Sequence, residues 1–127
     1  MNARLTLSVL NDVFAVCRLD AQSPIPAWAM RGEFFSATRA QDGISIVCLQ
    51  GDVPEGIRCE RGWRCLKVEG PLDFSLVGIL NSITAPLACA EVSIFAISTF
   101  DTDYILVRER DLERATSSLI EAGHHIL

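Results

Sequence analysis

The 127-residue sequence predicts an α+β fold: ferredoxin-like units, with a complete strand-helix-strand-strand-helix-strand set in residues 62–127. Three observations carry that prediction. Short runs alternate apolar with polar residues, the period of a half-buried strand. One segment near the end repeats its apolar residues at helical spacing. Asp-Gly and Gly-Pro pairs punctuate the runs where turns belong.

Each element follows in order. Leu5, Leu7 and Val9 alternate with Thr6 and Ser8, a strand that Asn11-Asp12 is expected to end in a turn. Phe14 to Leu19 resumes as a second strand. Pro24 and Pro26 forbid ladder pairing and mark a loop, after which Ala27 to Met30 has room for one helical turn. Glu33–Ala40 and Ile44–Leu49 flank Asp42-Gly43, a strong hairpin signal because both residues tolerate positive φ. Gly51 to Gly62 is a charged, glycine-rich connector, and the internal boundary is placed there: 1–61 and 62–127. In the second half, Arg64 to Glu69 alternates as a strand and stops at Gly70-Pro71. A helix is expected from an N-cap near Asp73, with Leu76, Val77, Leu80, Ile83 and Leu87 on one face and Pro86 ending or bending its last turn. Val92–Thr99 and Tyr104–Arg108 form a hairpin around Asp101-Thr102-Asp103. In Asp111–Ala122, Leu112, Ala115, Thr116, Leu119 and Ile120 fall at i, i+3, i+4, i+7 and i+8, and Gly123 sits where a left-handed cap belongs. His124 to Leu127 supplies a short last strand. The first half, with four strands and almost no helix, reads as a reduced version of the same unit.

Composition excludes several functions. Half of the residues are apolar and 21% are charged, enough for a packed core and contrary to disorder. Eleven basic residues against 16 acidic ones give a net charge of −5, the wrong sign for nucleic acid or an anionic membrane surface. No apolar run is long enough to span a bilayer, and Leu5–Leu10 is too interrupted for a signal peptide. Five cysteines, an odd number set mostly in apolar segments, read as buried free thiols of a cytoplasmic protein. No phosphate loop, nucleophile elbow or zinc-ligand spacing occurs, so no cofactor, metal or catalytic residue is expected. Adjacent His124 and His125 would point to opposite faces of a strand and are expected at the surface.

Two segments could carry a ligand. In Gly70-Pro71-Leu72-Asp73 a glycine lets backbone approach a ligand, and a helix start presents unpaired N–H groups to a carboxylate. The alternative is a plain turn with a capping Asp, its commoner use. Ser98-Thr99-Phe100-Asp101-Thr102-Asp103-Tyr104 concentrates acids and hydroxyls at a hairpin tip, beyond what a turn requires, although turns do enrich Asp and Thr.

Gly70-Pro71-Leu72-Asp73-Phe74-Ser75-Leu76-Val77-Gly78-Ile79-Leu80, Ala85-Pro86-Leu87-Ala88 and Ile97-Ser98-Thr99-Phe100-Asp101-Thr102-Asp103-Tyr104-Ile105-Leu106-Val107 resemble the signature of the ACT-domain family, in particular its small tandem group with cytosolic arginine-sensing members. The resemblance covers residues 62–127 closely. Over 1–61 it is carried by Asp42-Gly43 and Val53-Pro54-Glu55-Gly56. It implies amino-acid binding at domain interfaces and regulation rather than catalysis. By the same resemblance the ligand-holding features fall on Gly70, Asp73, Val77, Thr99, Phe100 and Asp103. The chain departs from the family in two ways. Ala90 is followed by Glu91 where relatives carry glycine, so a different turn is expected after the first helix. One pair of units stands where the arginine sensors have four, so a second copy, in a homodimer, is expected to complete a pocket. Three functions then compete on one fold: a sensor of a small amino-acid effector, an interaction domain without a small ligand, and an enzyme, the last lacking any nucleophile-base pair.

Overall fold

The computed structural model describes residues 4–70 and 77–127. In chain order its elements are strands β1 (Thr6–Leu19), β2 (Ser36–Ala40), β3 (Gly43–Leu49) and β4 (Cys59–Val68), helix α1 (Ile79–Cys89), strands β5 (Ile94–Ser98) and β6 (Asp103–Arg108), helix α2 (Leu112–Glu121) and strand β7 (His125–Ile126). Single 3₁₀ turns occupy Ala27–Met30, Gln50–Asp52 and Glu109–Asp111. The α+β class is the one the sequence predicts. Among the described residues no helix is long and apolar enough to cross a membrane.

Two compact units form, one from the start of the chain to Asn11 together with Arg64–Leu127, the other from Asp12–Trp63. In the first, β4-α1-β5-β6-α2-β7 supplies the β-α-β-β-α-β order, with strands arranged β7-β1-β4-β6-β5. The opening residues of β1 thus stand between the first and last strands of that set. Thr6 and Leu7 pair in parallel with His125 and Ile126, and the Glu69 N–H donates to the Thr6 carbonyl at 2.8 Å. Alternation then decides the core: Leu7, Leu66, Val68, Ile105 and Val107 turn one face toward Ile83 and Leu87 of α1 and Ala115 and Leu119 of α2, all fully buried.

Several local expectations change. Asn11-Asp12 makes no turn: β1 runs through it, with both side chains exposed, and neither the β7 pairing (residues 6–7) nor the β3 pairing (14–19) includes them. Helix α1 begins at Ile79 behind Gly78, whose φ of 77° is a left-handed value that glycine adopts without strain. The expected N-cap Asp73 and the apolar Leu76 lie outside the described residues. Val77 precedes the helix and is 92% exposed, so the buried face is Ser82, Ile83 and Leu87. In α2, Ile120 is exposed. At 100° per residue it points about 80° away from Leu112, beyond the stripe that Ala115 and Leu119 define.

Pro86 lies inside α1 rather than ending it. Proline has no N–H for the carbonyl four residues back. That carbonyl, on Ser82, instead accepts a hydrogen bond from His124 Nε2 at 2.8 Å. The Leu5 N–H donates to His124 Nδ1 at 3.1 Å, which places the ring proton on Nε2. His124 is therefore a buried structural residue and not the surface side chain expected from its position; His125 is exposed.

In the second unit the strands are ordered β2-β3-β1-β4. The Asp42-Gly43 hairpin forms, with Ala40 paired to Gly43 and Ser36 to Val47. One sheet face packs Ala15, Cys17, Ile44, Ile46 and Cys48 against Ala29 of the 3₁₀ turn at 27–30. A single turn covers the face that two helices cover in the first unit. All five cysteines are free thiols: Cys17, Cys48 and Cys65 are buried, Cys59 is half-buried, and Cys89 is exposed, contrary to its expected place in the core.

Candidate functional site

Strand β4 ends in Lys67-Val68-Glu69-Gly70. Because Leu66 and Val68 face the core, Lys67 and Glu69 face outward, and their side chains approach to 3.9 Å. The β5–β6 hairpin tip is bound to this strand end by Thr102. Its side chain is buried, and its hydroxyl donates to the Val68 carbonyl at 2.5 Å. The tip is closed internally as well. Thr99 N–H and hydroxyl donate to the Thr102 carbonyl at 2.8 and 3.0 Å, and the Thr102 N–H donates to Thr99 Oγ1 at 3.3 Å. Ser98 and Asp103 are a cross-strand pair whose hydroxyl-to-carboxylate hydrogen bond measures 2.6 Å.

These elements enclose an open cleft of about 280 Å³ lined by Lys67, Glu69, Gly70, Asp101 and Thr102. Among the described residues, one ammonium and two carboxylates line it together with Gly70. Such an arrangement can take both ends of a zwitterion through charge-assisted hydrogen bonds.

Of the six residues singled out from sequence, Gly70 lines this cleft. Thr99 and Asp103 build the hairpin tip behind it, through the bonds just described. Phe100 is at that tip and 79% exposed, and Val77 is more exposed still; neither lines the cleft. Asp73 lies outside the described residues. Lys67 and Glu69 were not singled out, although their alternation with Leu66 and Val68 directly before Gly70 placed them on the outward face.

The thiols offer no comparable center. A hydrogen bond with Cys48, together with burial, raises the Cys17 value, and the same bond lowers that of Cys48 against the opposing effect of burial. Burial raises Cys59, and pushes Cys65 up to about 12. Among the described residues no cluster of three or more His, Cys, Asp or Glu could hold a metal.

Comparison with known proteins gives a consistent picture. The family model described as the ACT domain matches residues 58–121, and a model of an N-terminal domain matches residues 12–56. A crystal structure of an Agrobacterium tumefaciens protein is 44% identical, superposes with a TM-score of 0.94, and is covered over 93% of its length by 98% of this chain. The human cytosolic arginine sensor for mTORC1 subunit 1 is 46% identical over 48 residues, which are 37% of this chain and 15% of the sensor. The chain thus corresponds to a small part of that relative. The ligand-free regulatory subunit of aspartate kinase from Thermus thermophilus has a TM-score of 0.63 over 90% of this chain and 96% of its own, at 9% identity, a likeness of fold alone.

Proposed function

Because this chain belongs to the ACT-domain family, we propose that it is a regulatory module that binds a small amino acid or similar zwitterionic effector and performs no catalysis. The observation that carries this reading is the cleft at the end of β4, where Lys67 faces Glu69 and Asp101 beside Gly70. An α-carboxylate would pair with Lys67 and the Gly70 backbone, and an ammonium or guanidinium with Asp101 and Glu69. Thr102, Thr99 and Asp103 hold the hairpin tip in place, so an effector would meet a preformed site and lose less entropy on binding. The residues taken from the family resemblance, Gly70, Asp73, Val77, Thr99, Phe100 and Asp103, are proposed as ligand-binding in the pocket completed by the second copy; of these Gly70 lines the cleft described here. Relatives named as arginine sensors make arginine one effector to test.

The resemblance, which places ligands at domain interfaces, and the single pair of units in this chain favor completion of this pocket by a second copy. We therefore propose a homodimer with two units per chain, 1–61 reduced and 62–127 complete. Free thiols accord with a cytoplasmic setting. A second reading is an interaction domain that assembles through a surface including the exposed Val77 and takes no small ligand.

Thermal-shift screening against the standard amino acids, followed by calorimetric titration of the best, tests the proposal. Asp101→Ala and Asp103→Ala are expected to weaken binding by about ten- to a hundredfold, on the scale of one lost charge-assisted bond. Equal affinities would remove both carboxylates from the site. If no amino acid binds at millimolar concentration, the assembly reading takes over, and sedimentation as a 13.9 kDa monomer would exclude that as well.

A further inference from the structure

The unit built by Asp12–Trp63 has a cleft of its own, about 380 Å³, on the sheet face opposite its core. Strand register lays a row of hydrogen-bond donors across it. Thr38 of β2 is paired with Ser45 of β3, and Ser45 with Arg18 of β1. The Arg18 N–H donates to the Arg58 carbonyl at 2.9 Å, which brings Arg58 alongside as the fourth member of the row. Cys17, Ile44 and Ile46 point the other way, into the core, so alternation alone presents this row to solvent.

The Arg18 guanidinium is fixed in position. It lies over Gly43, where a Cβ would come within 3.1 Å of its Cζ and Nη2, and Nη2 donates to the Asp42 carbonyl. Its ion pair with Asp20 is long, 3.6 Å, and that carboxylate is 90% exposed, so the positive charge is little neutralized. Arg58 makes no ion pair among the described residues. Asp42 and Glu60 also line this cleft.

The guanidinium groups of Arg18 and Arg58, the hydroxyls of Thr38 and Ser45 and the acidic Asp42 belong to one cleft lining, a set suited to a ligand that carries both charges. From this we infer that the 12–63 unit binds a small zwitterion, its anionic group between Arg18 and Arg58 and its cationic group toward Asp42. The cleft volume suits a molecule of amino-acid size. This inference is independent of the site at the end of β4, which involves none of these residues.

Amide NMR spectra of the full chain, titrated with single L-amino acids as zwitterionic probes, separate the two sites. Sodium acetate and methylammonium chloride serve as single-charge controls. At least one zwitterion is expected to shift the Thr38, Gly43 and Ser45 amides saturably, while neither control does so at the same concentration. Arg58→Ala, an exposed substitution that leaves folding intact, is expected to weaken that response by about tenfold or more. Shifts at Gly70, Asp101 and Thr102 report the other site, so either can fail alone. The inference is overturned if no probe moves the three amides at millimolar concentration, if acetate moves them as strongly, or if Arg58→Ala binds as the parent does.

Discussion

Glu91 is the described non-glycine residue with positive φ, 59°, and its surroundings explain how it is tolerated. It occupies the left-handed position of a Schellman turn at the end of α1: the Glu91 N–H donates to the Ala88 carbonyl and the Val92 N–H to that of Leu87. Helix α2 ends in the same motif, with His124 bonded to Leu119 and Gly123 in the left-handed place at φ 102°. A different turn was expected after Ala90 because Glu is strained there. The turn is nevertheless the ordinary one, reinforced by Arg114, whose guanidinium donates to the Ala90 and Glu91 carbonyls and pairs with Asp111. That support comes from 23 residues away, which no local reading of Ala90-Glu91 contains. Glu91→Gly should relieve a strain of about 1–2 kcal/mol, less the roughly 0.5–1 kcal/mol that glycine adds in unfolded-chain entropy. Urea unfolding is expected to show a net gain of up to about 1.5 kcal/mol, and a loss would mean that the Glu91 side chain makes a stabilizing contact.

Among the elements, those with strong periodicity were legible and those defined by partners were not. The Asp42-Gly43 hairpin, the β5–β6 hairpin and α2 stand within a few residues of their expected places, because turn chemistry and apolar spacing are local properties. The continuity of β1 through Asn11-Asp12 was illegible, since it depends on strands far along the chain. The β5–β6 hairpin also shows how much of the candidate site could be read. Its concentration of acids and hydroxyls marked the segment, yet Thr102, the residue that fastens the tip to β4, looked no different from Thr99 beside it. Only burial and the bond to Val68 distinguish it. Thr102→Val keeps the shape and removes the donor, leaving the Val68 carbonyl buried without this partner. The expected cost is about 1–3 kcal/mol in thermal or chemical unfolding, with weakened effector binding. Unchanged stability would show that the tip is held by its backbone bonds alone.

For the whole molecule, the free thiols make stability depend on alkaline pH. Cys65 is fully buried in the sheet, and its folded value is raised from an ordinary 9.0 to about 12 by burial. The folded protein thus keeps this proton where the unfolded chain has released it. The associated stability is complete below pH 9 and is lost as pH rises toward 12, at about 1.4 kcal/mol per unit for this one group. Chemical unfolding measured across that interval should show the decline, and Cys65→Ala should flatten it whatever the substitution does to stability at neutral pH. An unchanged slope in the variant would assign the decline to other groups. At the same scale, the sequence placed the apolar residues in a core but not the cysteines individually. Cys89 falls at the exposed end of α1 although its neighbors Leu87 and Val92 are buried.

The bond between His124 and the Ser82 carbonyl joins residues 42 positions apart. Proline at position 86 leaves that carbonyl without its usual partner inside the helix, and the partner it finds comes late in the chain. During synthesis the segment that becomes α1 leaves the ribosome well before His124 does. Until the imidazole arrives, the Ser82 carbonyl lacks the partner it has in the folded chain. A chain interrupted before residue 124 would lack this bond, and its α1 would keep an unpaired carbonyl at Ser82.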